Sequence, residues 1–184
     1  MKRLFDVIAS GLGLIVLSPL FLILAIWIKL DSKGPVFYRQ VRVGYKNKDF
    51  RIFKFRSMRV GADKGSLVTI GDRDPRVTRS GYWIRKFKLD ELPQLINVFI
   101  GDMSLVGPRP VTEPELVKYG DYKDYVLSVV PGLTGMWQVS GRSDTGYEER
   151  ISFDTYYIQN WSIWLDIWIL IKTVWVVING KGAY

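Results

Sequence analysis

Residues 12–28 read LGLIVLSPLFLILAIWI, seventeen positions without a charge, and no other feature narrows the folded state of this chain as much. Extended to 4–30, the run holds only Asp6 and Lys29 as charges. A cleaved signal peptide would show a small-residue cleavage site after the apolar core, whereas this run ends in IWIKLD. A straight transmembrane helix fits by length, since ~20 apolar residues cross a bilayer. A third arrangement is a helix that enters the membrane, breaks at Ser18-Pro19 and returns on the same side. Pro19 deletes a backbone hydrogen bond in the middle of the run, and Ser18 can satisfy a freed carbonyl where water is absent. Lys2 and Arg3 flank one end, and Lys29, Lys33, Arg39 and Arg42 follow the other, so both ends carry the positive charge of a cytoplasmic flank. The expectation is a re-entrant membrane segment over 1–32, with the simple span as the alternative, and a domain at the membrane interface on the cytoplasmic face over 33–184. A buried core helix is set aside by the length of the run and its lack of a polar face.

Composition then limits the chemistry. The 184 residues include no Cys and no His. Disulfides, thiolate nucleophiles, Ser-His-Asp triads and His or Cys metal ligands are excluded. An enzyme built from this chain works with carboxylates, Lys, Tyr, hydroxyls, backbone amides or a hard cation held by oxygens. A hydrophobic content of 48% excludes a disordered chain.

The net charge of +8 is concentrated in one stretch. Between residues 34 and 60 stand Arg39, Arg42, Lys46, Lys48, Arg51, Lys54, Arg56 and Arg59, against the single acid Asp49. The segments VFYRQVRV (36–43) and FRIFKFR (50–56) have strand character, and Gly44, Asn47 and Asp49 lie in the turn between them, which predicts a hairpin. Alternation puts Phe53 and Phe55 on one face and Lys54 and Arg56 on the other. Such a face attracts lipid headgroups, nucleic acid or a nucleotide-linked phosphate, and is equally a solvated face beside an anionic membrane. Residues 61–76, rich in Gly, Asp and Ser, read as a loop.

Asp90-Glu91-Leu92-Pro93, preceded by a short helix expected at 82–87, has the form of a helix start: two acids, a Pro in the first turn, then Leu95, Ile96, Val98 and Phe99. Free amides there favour an ionised carboxylate, suited to binding a metal or attacking phosphorus. An acidic pair at such a position is also an ordinary cap. Its neighbours point toward anion chemistry. Arg85 and Lys88 lie upstream, and Gly107-Pro108-Arg109-Pro110 holds an Arg between two φ-locked prolines, suited to gripping a phosphate or carboxylate. PGLTGMWQVSGRS (131–143) spaces Gly132, Gly135 and Gly141 around Gln138 and Arg142, as an anion-cradling loop or as a set of tight turns.

Together these blocks resemble the bacterial monotopic phosphoglycosyl transferases. The resemblance covers nearly the whole chain: the apolar N-terminus with Ser18-Pro19, FKFRSM (53–58), KLDELPQLINVFIGDMSLVGPRP (88–110), PGLTGMWQVSGR (131–142) and FDTYY (153–157). The chain resembles the minimal form, without extra N-terminal transmembrane helices. The resemblance implies transfer of a sugar-1-phosphate from a UDP-sugar to polyprenol phosphate with release of UMP, the first membrane step of glycoconjugate biosynthesis. It implies that Asp90 is the nucleophile of a covalent phosphosugar-aspartyl intermediate, that Glu91 assists metal binding or the acceptor's proton, and that Mg2+ is held by Asp90 and Glu91. Arg85 and Arg109 match basic residues near the phosphates, and Lys54, Arg56, Gln138 and Arg142 fall in matching blocks as substrate-binding candidates. Met136-Trp137 stands where the family pattern has Trp-Ala, which bears on loop packing.

The segment 161–178 is apolar with Asp166 and Lys172 inside it. At 100° per residue, Trp161, Trp164, Trp168 and Trp175 share one face and Ser162, Asp166 and Thr173 another, as expected of a helix lying in the membrane interface. A core helix and a second span are the alternatives, the span burying two charges in hydrocarbon. The expected fold is a small, helix-rich α+β domain with one β-hairpin, interfacial amphipathic helices and the re-entrant N-terminal helix. Expected partners are the UDP-sugar, polyprenol phosphate and membrane lipids, with no nucleic acid; a homodimer is compatible with the sequence. Two other functions fit the basic composition: a non-catalytic adaptor for anionic lipid, and a nucleic-acid binder with steep salt dependence.

Overall fold

The computed structural model describes residues 1–62, 74–140 and 146–178. The N-terminal run forms one helix, α1 (Lys2–Asp31), with Pro19 inside it. The expected interruption at Ser18-Pro19 is thus not a gap between two helices. Pro19 has no N–H for the Ile15 carbonyl one turn back, but the Ser18 hydroxyl donates to that same oxygen at 2.7 Å. The carbonyl keeps a partner and the helical run continues.

α1 packs lengthwise through one stripe. Asp6, Ser10, Leu24 and Ile28 are buried along it, and Leu14, Leu17 and Phe21 pack against core clusters at the same three-to-four spacing. Its opposite face is apolar and open: Ile8, Leu12, Ile15, Val16, Leu22, Ile23 and Leu30 are all exposed. Both ends are fastened to the rest of the chain. At the N-terminus Lys2 pairs with Asp166, Arg3 donates to the Val98 and Phe99 carbonyls, and Asp6 accepts from the Leu105 amide at 3.0 Å. At the C-terminus Asp31 accepts from the Ser80 amide and hydroxyl at 2.9 and 2.8 Å. The Arg56 guanidinium donates there to the Ser32 carbonyl at 2.7 Å and to that of Lys33.

The predicted hairpin is present as β1 (Phe37–Val43) and β2 (Asp49–Phe55), antiparallel, with Tyr38 opposite Lys54. Phe55 packs with Leu24, Ile28 and Ile84 under α1, while Ile52 belongs to the main core with Leu95, Val98, Met103, Val106, Tyr157 and Ile169. Next come α2 (Arg79–Lys86), capped by the Thr78 hydroxyl, and α3 (Gln94–Ile100). Arg3 of α1 closes the C-terminal carbonyls of α3, where a cation also suits the helix dipole.

A second strand pair was not expected. β3 (Ser104–Val106) and β4 (Gly132–Thr134) run parallel, each only three residues long, too short for a periodic signal. Short helices α4 (Glu113–Leu116) and α5 (Lys123–Val126) lie between them. α6 (Met136–Ser140), α7 (Tyr147–Gln159) and α8 (Ile163–Ile178) complete the helix-rich α+β fold. α8 divides as the sequence indicates. Asp166 and Ile169 face inward, Thr173 meets the Thr134 hydroxyl at 2.7 Å, and Trp164, Trp168 and Trp175 are exposed, while Trp161 precedes the helix and donates from Nε1 to Asp166 at 3.2 Å.

Candidate active site

The carboxylate pair sits on a single 3-10 turn, Leu89–Glu91, entered through Lys88 in a left-handed conformation (φ 56°) and running into α3. The cap position of α3 is occupied by Pro93, and no side chain caps the helix. The capping interpretation of Asp90-Glu91 therefore fails; both carboxylates point elsewhere. α3 is locked across β2 by the buried Asn97. Its Oδ1 accepts from the Phe53 amide at 2.9 Å, and its Nδ2 donates to the Arg51 carbonyl at 2.9 Å and to Asp102 at 3.2 Å. This brings the dyad beside Lys54 on the hairpin.

Glu91 Oε1 accepts from both Lys54 Nζ (2.8 Å) and Arg109 Nη2 (3.0 Å). Burial alone would raise the Glu91 carboxyl, but Arg109 and Lys54 outweigh it and hold the group well below the usual carboxylate range. Arg109 is correspondingly raised by Glu91. Among the described residues Asp90 takes no hydrogen bond or ion pair. Burial, reinforced by the adjacent Glu91 charge, pushes it up to about 6 against the pull of Lys54, Arg85 and Lys88. The helix amides expected to favour its ionisation do not reach it. Such a raised carboxyl is still mostly ionised at pH 7, and is a better nucleophile and base than an ordinary carboxylate.

Asp90 opens on a cavity of about 430 Å3 whose walls carry Arg42, Lys54, Arg56, Arg59 and Arg85. Tyr38, Gln40 and Arg42 alternate along β1 and line the same space. These three, and Arg59, were not singled out from the sequence as site residues. The signal was available in the strand alternation, which places Tyr38, Gln40 and Arg42 on one face. Five cations around one open carboxylate make a site for a phosphate-bearing ligand.

The other sequence-predicted residues fall at varying distances from this centre. Lys54, Arg85 and Arg109 gather at the dyad. Arg56 borders the cavity, but its Nη atoms bond the Ile28, Ser32 and Lys33 carbonyls at the end of α1. Gln138 on α6 donates to the Leu133 carbonyl at 3.0 Å. Arg142 and Gly141 lie outside the described residues. Gly132 and Gly135 stand where backbone approaches closely: a Cβ on either would collide with the Gly107 main chain. A Cβ on Gly107 would stand 2.7 Å from the Val130 carbonyl oxygen, and one on Gly132 would overlap the Gly107 amide. This close approach sets Pro108-Arg109-Pro110 against β4, with Gly107 N bonded to the Thr134 carbonyl at 2.9 Å. Trp137 packs its ring under the Arg150 guanidinium at 4.6 Å.

Among the described residues no three Asp or Glu side chains converge as a metal cage. A Mg2+ ion needs no such cage: it keeps several waters and binds through one or two carboxylates plus substrate phosphates. The open Asp90 carboxylate fits that pattern; Glu91 Oε1 is already engaged by two cations.

Residues 1–180 match the family model described as bacterial sugar transferase. The chain is 45% identical over 200 residues to the undecaprenyl-phosphate galactose phosphotransferase of Salmonella typhimurium, covering all of this chain and 42% of that protein. It is 43% identical over 199 residues to the exopolysaccharide production protein ExoY of Sinorhizobium fredii, covering all of this chain and 88% of that protein. It is 44% identical over 191 residues to the UDP-glucose:undecaprenyl-phosphate glucose-1-phosphate transferase of Klebsiella pneumoniae, again covering all of this chain, but only 41% of the relative. The chain thus spans less than half the length of two of these relatives and most of the third.

Proposed function

The chain belongs to the bacterial sugar transferase family, and from that premise we propose that it transfers a sugar-1-phosphate from a UDP-sugar to undecaprenyl phosphate at the cytoplasmic face of the membrane. The observation that carries this is the contrast within the dyad: Glu91 is held by Arg109 and Lys54, while Asp90 beside it faces a cation-walled cavity and takes no hydrogen bond among the described residues. An Asp90 oxygen attacks the sugar-bearing phosphorus, the bond from that phosphorus to UMP breaks, and UMP leaves. A phosphate oxygen of the lipid acceptor then attacks the same phosphorus, the bond to Asp90 breaks, and polyprenol-diphosphate-sugar forms. Arg85, Arg109 and Lys54 stabilise negative charge on the phosphate oxygens, where fixed cations in a partly desolvated site are most effective. Asp90, with Glu91 adjacent, would hold Mg2+, which when bound neutralises phosphate charge.

The membrane arrangement follows the same logic. α1 is ~45 Å long at 1.5 Å per residue, and a straight span would carry its ends to opposite sides of a ~30 Å hydrocarbon layer. Yet Lys2, Arg3 and Asp6 at one end and Asp31 at the other all bond to the same body. Two ends held on one body, with the helix continuous through Pro19, support a monotopic segment over 1–32 that rests on one side without crossing, its apolar outer face and the exposed Trp residues of α8 lying in lipid and interface.

The test is UMP release from a panel of UDP-sugars with undecaprenyl phosphate and Mg2+. Asp90→Asn should abolish turnover while membrane association persists, and donor without acceptor should add a hexosyl phosphate to the wild-type chain by mass. Near-normal turnover in Asp90→Asn would sink the nucleophile assignment.

A further inference from the structure

Arg150 of α7 lies outside the cavity and plays no part in the chemistry above, yet its Nη2 reaches the main-chain oxygen of Arg109 at 3.4 Å. One residue on, the Pro110 carbonyl accepts from Arg42 Nη1 at 3.2 Å. The prolines flanking Arg109 contribute no N–H, so carbonyls are the handles by which this turn can be held. Arg42 is itself fixed by Glu115 (2.9 Å) and Gln40 (3.0 Å), and Glu115 also accepts from the Thr112 amide at 2.7 Å. Arg150 is buried and stacked against the rings of Trp137 (4.6 Å), Tyr147 (5.4 Å) and Tyr119 (5.6 Å), with Asp154 4.0 Å away. Among the described residues its Nε has no hydrogen-bond partner. A buried guanidinium packed among three rings, with one arm on the Arg109 carbonyl, is placed to orient more than to neutralise.

We infer that Arg150 is a positioning residue: it holds the Arg109 backbone so that the Arg109 guanidinium meets Glu91, and thereby sets the cation beside Asp90. This deepens the proposed transferase function and rests on it for its catalytic consequence. A displacement of about 1 Å in a catalytic group can cost up to ~100-fold in rate. Arg150→Lys keeps the charge and much of the packing but loses the reach of the second nitrogen.

Two measurements test it. Arg150→Lys should raise amide exchange at Arg109, Val111 and Thr112 about tenfold, with exchange within α7 and the melting midpoint little changed; unchanged exchange at those three amides overturns the proposal even without a substrate. In turnover, Arg150→Lys should lower kcat for UMP release about tenfold with the donor KM within about twofold, and its effect should shrink below about twofold in an Arg109→Lys background, as expected of residues acting as one unit. Fully additive losses would mean that Arg150 only supports the fold. If the wild type releases no UMP from any donor, the transferase function fails, and the exchange measurement still decides the positioning role.

Discussion

Replacing Arg56 by Met separates two roles for one cation of the cavity wall: ligand to the substrate phosphate, or fastener of α1. The geometry favours the fastener. Nη2 donates to the Ser32 carbonyl (2.7 Å), the Ser32 hydroxyl (3.0 Å) and, more weakly, the Ile28 carbonyl (3.4 Å), while Nη1 donates to the Lys33 carbonyl. The Ser32 and Lys33 oxygens lie at the end of α1, where the last turn leaves carbonyls without helical partners. The Arg56 residue is 5% exposed, so water does not readily replace it. Hydrogen bonds from a charged donor contribute ~1.5–3 kcal/mol each; two strong ones, offset by the retained apolar stem and by relaxation, give a loss of roughly 3 kcal/mol for Arg56→Met. For a domain of this size that is about 6–12 °C in melting temperature. Tryptophan fluorescence of protein in detergent micelles reads the melt, and UMP release reads the donor KM in parallel. A variant melting within about 2 °C of wild type, with its donor KM sharply raised, would refute the fastener role and restore Arg56 as a phosphate ligand.

Three further outcomes are expected. Burial raises the Asp154 carboxyl to about 6 from 3.8, so the folded state keeps a proton that the unfolded chain releases earlier. The stability from this group is full below about pH 4 and is lost as pH rises through 6, roughly 3 kcal/mol in all; urea melts of Asp154→Asn should lack that decline, and an identical pH dependence in wild type and variant would contradict it. Gly132→Ala should cost more than ~2 kcal/mol and most of the activity, because the new methyl meets the Gly107 amide and the Thr134 carbonyl; a variant with wild-type melting and turnover would mean the two strands part easily. Single cysteines at Lys2 and Lys33, in a chain with none of its own, should label from the same side of sealed vesicles; opposite-side labelling would mean a span.

The parts of the fold that repeat were legible in the sequence. Alternation located the hairpin within a residue or two at each end, and the Trp spacing of α8 separated its open face from its packed one. What escaped were arrangements made by single contacts at long range. Nothing around Asn97 signals that one buried amide joins α3 to two residues of β2 and to Asp102. The three-residue strands β3 and β4 pair because glycine at 107 and 132 lets two backbones touch, a constraint invisible until both are placed. The dyad illustrates both sides. Its residues stood out, but local helix logic put them at a cap, where they are not; the charge that governs Glu91 comes from Lys54 and Arg109, 37 and 18 positions away in sequence.

α3 links the apolar N-terminal helix to the carboxylate dyad. Its C-terminal carbonyls are held by Arg3 in the first turn of α1, its middle by Asn97 to β2, and its N-terminus continues from the turn that carries Asp90 and Glu91. Seven residues of helix span only ~10 Å. In the proposed membrane arrangement, the depth at which α1 settles would be transmitted to the dyad through this one short element, with the Asp6–Leu105 bond fixing β3 to the same end of α1. A lipid acceptor with a long prenyl chain presents its phosphate at the headgroup level and gains nothing by leaving the bilayer, since each buried CH2 favours the membrane by ~0.8 kcal/mol. An enzyme acting on that phosphate must hold its nucleophile at a constant height. Under the proposed function, fastening both ends of α1 to the body that carries Asp90 would do this, and a single span followed by a flexible tether would not.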